Sequence, residues 1–86
     1  MTPPMKLDEL DPDTSAFKIL VHLTFRGQAM KPIDISRELR ENSSSVRARL
    51  AELKRDGLVE SRGDGYAALT TPYDVLMKLY RRPKEK

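Results

Sequence analysis

Residues 32–59 read PIDISRELRENSSSVRARLAELKRDGLV, and the order of signals within them decides the fold. Pro32 suits the first turn of a helix, because a residue there needs no backbone N–H. From Pro32 to about Arg40, Ile35 and Leu39 stand four apart and share one side. Asn42 and the run Ser43-Ser44-Ser45 break that helix and supply caps for another, expected from Ser43 to about Asp56. Val46, Leu50 and Leu53 recur at i, i+4 and i+7, which gives it a single apolar face. Gly57 then lets the backbone turn out of the helix at low steric cost, and Leu58 and Val59 return apolar surface to the core.

Working outward, residues 14–26 carry Phe17, Leu20, Val21 and Thr24 on one side of a first helix. Ile19 and Leu23 widen its apolar arc, and Gly27 stops it. Lys18, His22 and Arg26 fall opposite, toward water. Residues 28–31 are short and extended. Beyond Gly57 the period changes to that of strands. Residues 58–61 and 66–69 flank Arg62-Gly63-Asp64-Gly65, a β-hairpin with a glycine-rich tip. Thr71, Pro72 and Asp74 supply a cap, a first-turn proline and an acid three residues after the cap, which opens a last helix reaching about Arg82. The expected class is mainly α with a small β-hairpin, in the order α-β-α-α-β-β-α. Residues 14–82 form the domain, between a flexible acidic leader (1–13) and a charged tail (83–86).

This order, with Ile33–Leu39, Ser44–Leu50 and Leu53–Val59, resembles the winged helix-turn-helix regulators of the MarR-like and ArsR-like type. Leu69-Thr70 ahead of the last helix also looks like the family's exit from the wing. The resemblance covers residues 14–82. It implies a homodimeric transcription regulator that binds double-stranded DNA and acts in the cytoplasm. In one respect the chain departs from the pattern. The turn between the two middle helices usually carries glycine and then an apolar residue, where this chain has Arg40 and Glu41. A left-handed non-glycine residue costs roughly 1–2 kcal/mol, so a longer or differently shaped turn is expected.

Charge points the same way. The chain has 86 residues and a net charge of +3. Its first thirteen residues set Lys6 against Asp8, Glu9, Asp11 and Asp13, so the remainder carries fifteen bases against nine acids. A basic body is the electrostatic footprint of a nucleic-acid binder. If residues 43–56 are the recognition helix, its N-terminal part meets base edges in the major groove. Facing Val46 inward turns Ser44, Ala48, Ala51 and Arg55 outward, with Ser45 and Arg47 on the flanks. Base contacts are assigned to Ser44, Ser45 and Arg47, since arginine grips guanine through paired hydrogen bonds. Phosphate contacts are assigned to Arg37, Arg40, Ser43, Arg55 and, on the wing, Arg62. Pairing of these arginines with Glu38, Glu41 or Glu52 is the competing expectation.

The last helix is apolar around more than half its circumference, leaving Asp74, Lys78 and Arg81 as its polar strip. A dimer interface through Tyr73, Leu76, Met77, Leu79 and Tyr80 is expected, with cover by Met5, Leu7 and Leu10 of the leader as the alternative. Catalysis is not expected. The lone His22 has no second ligand of its kind, no glycine loop cradles phosphate, and the acids are scattered. With no cysteine, disulfides and thiolate metal sites are excluded, and no cofactor or metal is expected. No apolar run approaches a membrane span, and the acidic start is unlike a secretory signal. The alternative function is a winged-helix protein-interaction module in a replication or transcription assembly.

Overall fold

The computed structural model describes Leu7 and residues 10–80. Three helices and both strands begin and end within one residue of their expected bounds. The elements are α1 (Ser15–Arg26), α2 (Pro32–Leu39), α3 (Ser43–Arg55), β1 (Val59–Arg62), β2 (Gly65–Ala68) and α4 (Pro72–Tyr80). The expected end of the last helix near Arg82, the tail, and residues 1–6, 8 and 9 of the leader lie outside the described residues. Leu7 is buried with the core and Leu10 packs against it, so the packed body draws on the segment assigned to the leader.

Thr14 caps α1, its hydroxyl accepting from the Phe17 N–H at 3.3 Å. Ala16, Phe17, Ile19, Leu20, Leu23 and Thr24 face inward. They meet Ile35 of α2 and Val46, Leu50 and Leu53 of α3, all at most 1% exposed. Burying such a side chain contributes about 1.5–3 kcal/mol, so this three-helix junction supplies most of the cohesion. The Thr71–Asp74 capping box forms reciprocally at 2.9 and 3.1 Å and starts α4. Among the described residues no helix is long and apolar enough to cross a membrane.

The strands pair antiparallel from Val59–Ala68 to Arg62–Gly65, which leaves a two-residue tip, Gly63-Asp64. Arg62 and Gly65 therefore belong to the strands and not to the tip. The expected strand at 28–31 is only an isolated bridge, Met30 with Tyr66, joined by hydrogen bonds of 2.9 and 2.8 Å. Pro32 stops it two residues on, because proline has no N–H for a ladder and already starts α2. Gly65 (φ 136°) serves this bridge. A Cβ there would collide with the Met30 carbonyl carbon and oxygen and lie 2.8 Å from the Lys31 nitrogen.

The connection from α2 to α3 is tight, where a longer or differently shaped turn is expected from the sequence. Arg40 itself adopts the left-handed conformation (φ 58°, ψ 46°). The Arg40 and Glu41 N–H groups both donate to the Ser36 carbonyl, the latter at 3.0 Å, and the Ser36 hydroxyl donates to the Glu41 carbonyl. Three hydrogen bonds to or from one serine hold the arginine where glycine is usual.

Candidate nucleic-acid interface

The α3 cap is Asn42, whose Oδ1 accepts from the N–H groups of Ser44 (2.8 Å) and Ser45 (3.4 Å). The three serines thus form the first helical turn, and their hydroxyls are not needed as caps. Ser43 is half-buried; Ser44 and Ser45 are exposed. With Val46, Leu50 and Leu53 inward, the outer face presents Arg47, Ala48, Ala51, Lys54 and Arg55, all exposed. Lys54, seven residues after Arg47, was not singled out for contact from the sequence, although its spacing puts it on the same side.

The acids expected to neutralise these cations are held elsewhere. Glu38 takes His22 Nε2 at 2.7 Å and Arg26 at 3.7 Å, both from α1. Glu41 takes Lys18 of α1 at 2.7 Å and Ser15 Oγ at 3.0 Å. Glu52 pairs with Arg49 at 2.7 Å. Among the described residues, no ion pair engages Arg40, Arg47, Lys54 or Arg55. His22, expected to face water, is half-buried at the α1–α2 seam. The lysine and serine beside Glu41 hold its carboxyl below the usual carboxylate range, Lys18 more than Ser15.

Two expected phosphate contacts are less free. Arg37 reaches Asp34 at 3.3 Å across one helical turn. Arg62 is gripped by Glu60 through Nε (2.8 Å) and a terminal nitrogen (2.7 Å). It also lines a cleft of about 240 Å³ with Gly27 and Gln28 at the end of α1 and Thr71 and Pro72 at the start of α4. The structure brings Arg40, Ser44, Ser45, Arg47 and Arg55 together along α3 and its approach. Arg62 stands on the hairpin, engaged with Glu60.

On α4 the inward and outward sides differ from expectation. Val75 and Lys78 are buried, Met77 and Leu79 half-buried, and Tyr73, Leu76 and Tyr80 are 69%, 56% and 84% exposed. Lys78, assigned to the polar strip, lies with its Nζ 5.8 Å from the centre of the Phe17 ring. Seating Val75 in the core rotates Lys78 onto α1, where its stem packs and its charge meets an aromatic face. Comparison with known protein families, with curated proteins and with solved structures finds no match. The chain is thus defined by its own geometry: a mainly helical fold with one two-stranded antiparallel hairpin.

Proposed function

We propose that this is a winged helix-turn-helix domain that binds double-stranded DNA in a sequence-specific manner and regulates transcription as a homodimer. One observation carries the reading: the outer face of α3 is open, and its arginines and lysine are unpaired because neighbouring acids are held by α1 and Arg49. In this reading α3 lies in the major groove, with Ser44, Ser45 and Arg47 against base edges. Arg40, Ser43, Lys54 and Arg55 meet phosphates, and Arg37 joins them by leaving Asp34. Ala48 and Ala51 allow close approach. The hairpin is the wing, and Arg62 reaches DNA only by releasing Glu60. No catalytic step or cofactor enters.

The test is titration of random-sequence duplex at several salt concentrations. The four cations assigned to phosphate, Arg37, Arg40, Lys54 and Arg55, predict a slope of log affinity on log salt near −3.6 per domain, at about −0.9 per phosphate contacted. Absence of binding at low salt overturns the reading. Arg47→Ala is expected to weaken binding to a selected duplex by about ten- to a hundredfold, on the scale of one good base contact. Binding to random duplex should fall far less, and equal losses remove the base-reading role.

A dimer is supported by the side of α4 that carries Tyr73, Leu76 and Tyr80 outward while its lysine turns in. Leu76→Glu is expected to convert dimer to monomer by light scattering, and an unchanged mass places the interface elsewhere. The same exposed side favours the second reading, a protein-interaction module, which the salt titration separates from the first.

A further inference from the structure

Glu41 stands one residue ahead of the α3 cap. Its side chain is only 16% exposed, and both carboxylate oxygens are engaged: Oε1 accepts from Ser15 Oγ at 3.0 Å and Oε2 from Lys18 Nζ at 2.7 Å. Its main chain is held as well, the N–H donating to the Ser36 carbonyl and the carbonyl accepting from the Ser36 hydroxyl. The following residue, Asn42, caps α3. One residue therefore links three helices: side chain on α1, backbone on α2, and chain continuity into α3.

The other attachment of α3 is its apolar face. Burial of Val46, Leu50 and Leu53 is non-directional, so it holds the helix against the core more firmly than it fixes sliding or rotation. Charged hydrogen bonds are directional, and those nearest the N-terminal turn belong to Glu41. By charge alone an acid beside this surface disfavours a polyanion. A favourable contribution of Glu41 to binding would therefore have to be geometric.

Resting on the DNA-binding reading, we propose that Glu41 is a positioning residue: through Lys18 and Ser15 it sets how the first turn of α3, with Ser44, Ser45 and Arg47, is presented to DNA. The sign of the effect separates this from electrostatics. Removing an acid from a DNA-binding surface should raise affinity for any duplex, whereas losing the anchor should lower discrimination between duplexes.

The experiment compares wild type, Glu41→Lys and the exchanged pair Lys18→Glu/Glu41→Lys on two probes. One is a duplex selected from a random pool by the wild type, the other a random-sequence duplex of equal length. Glu41→Lys should bind the random duplex more tightly, yet lose about tenfold in the ratio of selected to random affinity, near 1.4 kcal/mol. The exchanged pair, with the wild-type net charge and a restored ion pair, should recover the ratio. An unchanged ratio in Glu41→Lys, or no recovery in the exchanged pair, overturns the proposal. Should Glu41→Lys fail to fold, Glu41→Gln keeps the size and a hydrogen-bonding oxygen, and should lose part of the ratio; no loss overturns the proposal. Without DNA, the amide chemical shifts of Ser44, Ser45 and Arg47 should move in Glu41→Lys and return in the exchanged pair, and unmoved shifts also overturn it. If the wild type binds neither duplex, the DNA-binding reading fails, and the amide shifts alone decide whether Glu41 anchors α3.

Discussion

Helices α2 and α3 are both followed by a left-handed residue, but a different residue takes that position in each. After α3, Gly57 (φ 79°) is left-handed, its N–H bonds Lys54 O at 3.0 Å and the Leu58 N–H bonds Leu53 O at 2.9 Å. After α2, Arg40 (φ 58°) takes the left-handed place, and the Glu41 N–H reaches back to Ser36 O at 3.0 Å. Glycine adopts this conformation with little strain, whereas a side chain there costs roughly 1–2 kcal/mol. The first turn leads into the hairpin and needs only to close. The second leads into the helix that carries the unpaired cations, and there the chain keeps an exposed arginine followed by a glutamate bound to α1. On the proposed function, the strained Arg40 is one of the residues that meet phosphate, so its strain and its binding role can be tested together.

The largest effect that tests this comparison is the conversion of one turn into the other. A Cβ at Gly57 meets nothing within 4 Å, so a substitution there is penalised by backbone conformation and not by crowding. Gly57→Arg is expected to lower stability by about 1–2 kcal/mol, read as a lower urea midpoint at unchanged slope. No loss of stability would mean that the left-handed position is inexpensive in this fold, and the contrast between the turns disappears.

The reverse change, Arg40→Gly, should move two measurements in opposite directions. Relief of the strained residue raises stability by about 1 kcal/mol, or roughly 4–8 °C in Tm for a domain of this size. On the proposed DNA-binding function, loss of the phosphate contact assigned to Arg40 should weaken binding and reduce the magnitude of the salt slope by about 0.9. If Tm and affinity both rise, Arg40 has no part in binding. If both fall, the arginine supports the fold.

The smallest effect is the pH dependence of the Glu41 anchor. Lys18 and Ser15 favour the carboxylate in the folded state and lower its pKa. The stabilisation is complete above the ordinary carboxylate value of about 4.3 and is lost as pH falls through the lower folded value. Lys18 is 55% exposed, so the contribution stays within about 1 kcal/mol. The Tm advantage of wild type over Glu41→Gln should be constant near neutrality and shrink below about pH 4.3. An advantage undiminished between neutrality and pH 3 would mean that the charge of Glu41 is not its source.

Much of the architecture was legible because its determinants are local. Val46, Leu50 and Leu53 announce an inward face by spacing alone, and all three are buried. Gly57 and the Thr71–Asp74 box mark an end and a start through bonds spanning five residues or fewer. Gly65 was legible only as a turn former. Its closer constraint, the Met30 backbone pressed against it, comes from a segment 35 residues away in sequence. The candidate site divides in the same manner. The outward residues of α3 follow from the position of Val46, but the freedom of Arg47 and Arg55 depends on which partners Glu38, Glu41 and Glu52 take.

By itself, then, the order of residues determined the helices, the hairpin and the side of α3 that meets the core, since periodicity and capping act over one or two turns. Tertiary structure alone decided that Arg40 closes its turn left-handed, that Lys78 lies over Phe17, and that α1 holds Glu38 and Glu41 away from the α3 cations. Those outcomes depend on the rotation of one helix against another, which is set by packing between residues distant in the chain.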